Sequence, residues 1–209
     1  MSRKSHWERV YAEKKTDEVS WYQPNPARSL QLIRATGVSP AEPILDIGGG
    51  ASALVDNLLA AGYRDITVLD IAAAALERVR ARLGRNAADV AWIEADITQF
   101  HPPRRYAVWH DRAVFHFLVD AAERDRYLEV LQKGIAPEGH FIIATFGPEG
   151  PQRCSGLDVH RYSLDELAGL LEPHFSLRHS EIEQHRTPTG GMQQFLYAWW
   201  QAPAGEPGR

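Results

Sequence analysis

Short apolar runs alternate along this chain with stretches of helical period. Ile44, Leu45 and Ile47 make a buried-strand run that passes through Gly48, Gly49 and Gly50 into a helix whose apolar positions are Leu54, Val55, Leu58 and Leu59. The same alternation repeats. Asp65–Asp70, Asp89–Glu94, Tyr106–Asp111 and His140–Phe146 read as strands, separated by helical patterns over Ala72–Leu83 and Ala121–Ile135. Before the first strand, Trp7, Val10 and Tyr11 share a helix face, Ser20–Pro24 reads as an extended turn, and a second helix after Pro26 turns Leu30 and Ile33 inward as far as Gly37. After the last parallel strand, Ser163-Leu-Asp-Glu166 has capping-box spacing, and Phe175–Glu183 and Gln193–Trp200 are alternating strands joined by Thr187–Gly191. The pattern predicts one α/β three-layer sandwich with a seven-stranded, mostly parallel sheet and an antiparallel last strand.

Composition narrows the class. A chain of 209 residues, 44% hydrophobic and 24% charged, suits one domain over residues 1–202, with lid or cap helices to 40, a cofactor-binding core over 41–147 and an acceptor-side remainder. Residues 203–209 are expected to be disordered. A net charge of −4 offers no basic footprint, which argues against nucleic acid, and no apolar run approaches a membrane span, so a cytoplasmic enzyme is expected. One cysteine and nine scattered histidines supply no metal-ligand spacing.

The candidate chemistry gathers at the glycine turn. A helix N-terminus fed by glycines leaves backbone N–H groups free for a ligand. Gly48, Gly50 and Ala53 satisfy the loose dinucleotide pattern G-x-G-x-x-G/A, with Asp70 about 20 residues on, where an acid would hold ribose hydroxyls. Asp46 favours a different ligand: its carboxylate would repel a pyrophosphate but attract an ammonium. Leu45-Asp-Ile-Gly-Gly-Gly50 closely resembles motif I of the class I S-adenosylmethionine-dependent methyltransferases, with Ser52 where that family often has a third glycine. Ala136-Pro-Glu-Gly139 before a strand resembles the family's fifth-strand start, so the likeness spans Asp46 to Phe146.

The resemblance implies roles for particular residues. Asp46, Gly48, Gly49, Gly50 and Ser52 would hold the amino-acid end of S-adenosylmethionine, Asp70 the ribose, and Ile71, Asp96 and Ile97 the adenine. Asp70 could instead cap the next helix, and Asp96 could close its own turn. His110, Asp111, Arg112 and His116 lie where the fourth strand should end beside the methyl group. A histidine there could serve as general base or touch the cofactor, and the arginine could grip an anionic acceptor, while Asp111 and Arg112 could simply pair. Trp21, Tyr22 and Gln23 would cover the cofactor or line the acceptor pocket, or the aromatics could only cap the sheet. Arg153, Cys154 and Ser155, on a glycine- and proline-rich loop, are further acceptor candidates.

The function this implies is methyl transfer to a nucleophile on a small molecule, with a protein lysine as the alternative acceptor. Rival classes are an NAD-dependent oxidoreductase and a non-catalytic S-adenosylmethionine-binding module.

Overall fold

The computed structural model describes residues 2–172 and 174–205. Five strands form the parallel part of the sheet: β1 (Ile44–Ile47), β2 (Ile66–Asp70), β3 (Val90–Glu94), β4 (Tyr106–Arg112) and β5 (Ile135–Phe146). With β8 (Ser176–Arg186) and β9 (Met192–Gln201) the sheet order is β3-β2-β1-β4-β5-β9-β8, β9 running antiparallel to both neighbours. The expected sandwich is the observed one.

Strand alternation sorts the core into two layers. Ile44 of β1 and Val108 of β4 face α1 (Arg3–Glu13), α2 (Ala27–Ala35), α3 (Leu54–Ala60) and α4 (Ala73–Leu83). Leu45, Ile47 and Trp109 face the opposite layer, built by α5 (Ala121–Gly134) and α6 (Leu164–Leu171). Both helices of this layer start as their sequences suggest: Asp120 accepts from Ala122 N at 2.7 Å, and Ser163 with Glu166 closes the capping box. All parallel strands end on one edge of the sheet, so Ile47, Asp70, Glu94 and Arg112 stand along a common rim. Ligands of open parallel sheets bind beyond that rim.

Three local features depart from the sequence pattern. Ala136–Gly139 is a bulge within a continuous β5: Tyr106 pairs with Ile135, then Val108 with His140, and Glu138 takes up the slack at φ 57°. The loop after β5 carries a small hairpin of β6 (Arg153–Cys154) and β7 (Leu157–Asp158). Pro203, the first residue of the expected disordered tail, is bonded to the bulge instead. Ala202 is buried and Pro203 O accepts from Glu138 N at 3.0 Å, tying residues 202 and 203 to the bulge; residues 206–209 of that tail lie outside the described residues.

Candidate active site

Two cavities open beyond the rim and meet at Trp21, Ile47, Gly48 and Arg112. The first is lined by Asp70, Ile71, Asp96, Ile97, Phe117 and Cys154, with Trp7 and Tyr11 of α1 over it. The second is lined by Tyr22, Gln23, Ser29, Asp46, Gly49, Ser52 and His110.

The glycine turn makes room for carboxylates. Gly48 sits at φ 66°, a left-handed conformation that side chains resist, and a Cβ there would strike Val114 Cγ2. A Cβ on Gly49 would strike Asp46 Oδ2, and one on Gly50 would stand 2.6 Å from Asp70 Oδ2. Gly50 lines neither cavity; its N–H donates to Asp70 Oδ2 at 3.1 Å. Ser52 Oγ accepts from Leu54 N at 3.0 Å and so caps the start of α3.

Asp70 holds local structure as well as facing the first cavity, because Ala72 N donates to its other oxygen at 2.9 Å. Burial pushes its carboxyl up to about 6, against the downward pull of the Ala72 and Gly50 N–H groups. Each oxygen keeps a lone pair for a further donor. Asp96 does close its own turn, accepting from Thr98 N and Thr98 Oγ1 through Oδ1, while Oδ2 stands 3.6 Å from Arg3.

In the second cavity Asp46, 2% exposed, faces His110 across the β1–β4 register. Asp46 Oδ1 and His110 Nδ1 are 2.8 Å apart, and His110 Nε2 is 2.9 Å from Ser29 Oγ. A neutral imidazole satisfies both contacts by donating from Nδ1 to the carboxylate and accepting the serine hydroxyl at Nε2. Both ring nitrogens are thereby occupied. Asp46 lines the cavity, and its Oδ2 is buried over Gly49 without a partner among the described residues.

Alternation separates the cluster expected on β4. Asp111 points to the opposite layer, where Tyr127 donates to Oδ2 at 2.7 Å and Val114 and Phe115 N–H donate to Oδ1. It lines neither cavity, so it holds the turn after β4 and takes no place among the catalytic candidates. Burial pushes its carboxyl up to about 6, opposed chiefly by the Tyr127 hydroxyl. His116 is likewise turned away: its Nδ1 accepts from Phe146 N at 3.2 Å, its ring stacks 4.5 Å from Phe146, and burial, with the Arg112 charge, lowers it to about 3. A ring so held is no general base for the cavities.

Arg112, two residues beyond His110 and on its face, lines both cavities. Nε donates to Tyr197 Oη and Nη1 to Trp21 O, each at 2.9 Å, and the guanidinium lies 4.5 Å from the Phe195 ring centroid. It makes no pair with Asp111. Of the loop candidates, Cys154 lines the first cavity, its thiol pushed up to about 11 by burial, which favours the protonated form over the thiolate. Arg153 lies outside, its exposed side chain 3.0 Å from Asp158 and bonded to Gly156 O, and Ser155 lines neither cavity.

The N-terminal segment covers the rim. Glu8 of α1 accepts from Ala73 N at 2.8 Å and Ala74 N at 3.2 Å, capping α4 and meeting its positive end. Arg3 bonds Glu123, His185 Nε2 donates to Ser20 O, and Trp7 meets Trp21 edge-on at 5.6 Å. Sequence reasoning missed Ser29, although it falls four residues before Ile33 on the inward stripe of α2. Arg3 and Glu8 carried no signal, since their partners are far along the chain.

The methyltransferase domain family matches residues 45–141. Over 127 residues the chain is 28% identical to Nodulation protein S of Rhizobium tropici, covering 61% of this chain and about half, 52%, of that protein. The Bradyrhizobium diazoefficiens protein of the same name is 26% identical over 178 residues, 85% of this chain and 79% of the relative. Over 100 residues, 47% of this chain, it is 27% identical to 14% of the eEF1A lysine and N-terminal methyltransferase of Mus musculus. The fold matches the N-methyltransferase NodS of Bradyrhizobium japonicum WM9, solved with S-adenosylhomocysteine, at a TM-score of 0.67 and 21% identity over 87% of this chain and 90% of that one. It matches the Burkholderia thailandensis 1,6-didemethyltoxoflavin-N1-methyltransferase, solved with its namesake ligand and S-adenosylhomocysteine, at 0.68 and 20% identity over 93% and 81%. The architecture is the Rossmann-like α/β/α sandwich of these two structures. The family match covers 97 of the 209 residues, and the chain spans about half the length of the first of these relatives.

Proposed function

We propose that this chain transfers the methyl group of S-adenosylmethionine to an amine nitrogen of a small molecule held under the N-terminal lid. The observation that carries the reading is the pair of cavities joined at Gly48, one with the strand-end carboxylate Asp70 between apolar walls, the other with the unpartnered Asp46 Oδ2. That polarity suits a nucleoside joined to an amino acid. Asp70 would accept the ribose hydroxyls, Ile71 and Ile97 would flank the base beside Asp96, and Asp46 would receive the ammonium.

When bound, S-adenosylmethionine supplies an activated methyl, which the amine lone pair displaces from sulfur as the N–C bond forms and the C–S bond breaks. The residues around the junction orient and enclose; among the described residues His110 alone of the histidines lines either cavity, and both of its ring nitrogens are engaged. A neutral amine needs no base before attack, and its surplus proton passes to water afterwards. A hydroxyl acceptor would need that base. The N-methyltransferase relatives and the aromatic cover over the rim support the same acceptor class, and the one-cysteine composition supports a cytosolic setting. The eEF1A methyltransferase relative keeps a protein lysine as the second reading.

The test is incubation of the enzyme with methyl-labelled cofactor and fractionated host extract, preceded by calorimetry with S-adenosylhomocysteine and NAD. Acid-stable, nitrogen-bound label in the small-molecule fraction is expected. Label confined to macromolecules would overturn the acceptor class, and binding of NAD in place of S-adenosylhomocysteine would overturn the cofactor.

A further inference from the structure

Three buried polar atoms around the second cavity have no partner among the described residues: Asp46 Oδ2, Gln23 Oε1 and Arg112 Nη2. Burying such atoms costs free energy unless a ligand satisfies them. Two are acceptors and one is a cationic donor. The Gln23 amide is oriented by its Nε2, which faces both oxygens of Glu183 at 3.5 Å and leaves Oε1 over. The partners Arg112 does have, the Tyr197 hydroxyl, the Trp21 carbonyl and the Phe195 ring, are all neutral, and among the described residues no carboxylate forms an ion pair with it. An α-amino acid is the complementary shape: an ammonium for the two acceptors, a carboxylate for the guanidinium.

We propose that Gln23 and Arg112 join Asp46 in binding the zwitterionic amino-acid end of the cofactor, so that the segment carrying Trp21 to Gln23 recognises cofactor rather than acceptor. The inference rests on the cofactor reading above. It reassigns Arg112 from gripping an anionic acceptor and Gln23 from lining the acceptor pocket. It also makes lid closure dependent on the cofactor, because Arg112 Nη1 holds Trp21 O while Nη2 is left for the carboxylate. A bound carboxylate would fix the guanidinium that latches the lid.

Calorimetry with three probes tests this: S-adenosylhomocysteine, decarboxylated S-adenosylmethionine, which keeps the ammonium, and 5′-methylthioadenosine, which has neither charged group. Arg112→Gln should weaken S-adenosylhomocysteine by about tenfold or more, the scale of a lost charge-assisted bond, while changing decarboxylated S-adenosylmethionine and methylthioadenosine by less than about threefold. Arg112→Lys should restore part of the loss. Gln23→Leu should weaken both ammonium-bearing probes and spare methylthioadenosine. Equal weakening of all three probes by Arg112→Gln would make the residue a lid latch only, and unchanged S-adenosylhomocysteine affinity would return it to the acceptor; either overturns the proposal. Failure of the unaltered protein to bind S-adenosylhomocysteine at all would instead overturn the cofactor reading.

Discussion

Asp46 and His110 stand directly opposite each other on neighbouring parallel strands, 2.8 Å apart at Oδ1 and Nδ1, and Ser29 closes the far side of the imidazole at 2.9 Å. The histidine therefore works as a brace for the carboxylate. It fixes one oxygen and leaves the other over Gly49, without a partner among the described residues. His110→Ala should cost about 1–3 kcal/mol of stability by leaving Asp46 unpaired, and should weaken S-adenosylhomocysteine by about tenfold. His110→Asn, whose amide can still donate to Asp46, should recover most of the binding. Thermal melts and calorimetry on the two variants check this; equal losses in both would sink the brace.

Asp70 predicts the pH dependence. Its carboxyl, raised by burial from 3.8 to about 6, must be ionised to accept two ribose hydroxyls. Affinity for S-adenosylhomocysteine should be level above about pH 7 and fall by up to tenfold per unit below 6. Stability of the unliganded protein moves the other way. Because the folded value exceeds the unfolded one, the folded state holds the proton more tightly, and this group adds stability as the pH falls from about 6 toward 3.8. Asp70→Asn should weaken binding at neutral pH and flatten the acid limb in calorimetric titrations over pH 5–8.

Gly48 predicts a partial rescue. Gly48→Ala meets both a left-handed backbone and Val114 Cγ2, so it should destabilise the fold by more than about 2 kcal/mol. Adding Val114→Ala removes the collision and leaves the backbone cost, about 1–2 kcal/mol. The double variant should then be more stable than Gly48→Ala alone in chemical denaturation, and a double variant as unstable as the sum of its parts would refute the collision.

Tyr127 predicts the opposite separation. Its hydroxyl donates to Asp111 and accepts from Trp109 Nε1 at 3.2 Å, all in the layer away from the cavities. Tyr127→Phe should cost about 1–3 kcal/mol in stability and leave S-adenosylhomocysteine affinity within about twofold of the unaltered protein. A tenfold loss of affinity at unchanged stability would return Asp111 to the site.

The strand, glycine turn and strand-end acids were legible because their signals are local: an apolar run, a backbone freedom, a charge at a fixed distance along the chain. Asp70, Asp96, Ile71 and Ile97 all line the first cavity. His110 to Arg112 needed more than proximity in sequence. In a strand, neighbours face opposite ways, and alternation alone already forbade His110 and Asp111 from sharing a site. The sequence could not say which of the two faced α2. His116 and Arg153 failed for another reason, since their orientation follows from packing against Phe146 and from the β6–β7 hairpin, contacts set by the folded chain. The lid was readable as an aromatic helix face, but its anchors were hidden, because Glu8 caps a helix more than 60 residues away.

Trp7 and Trp21, set edge-on over the first cavity, give the protein an optical reporter of its own. An adenine entering there would displace water beside two indoles at once, whereas Trp92, Trp109, Trp199 and Trp200 line neither cavity and would emit as a steady background. Ligand entry can thus be followed by intrinsic fluorescence in the unlabelled chain, with Trp21→Phe separating the signal of the Trp21–Gln23 segment from that of α1.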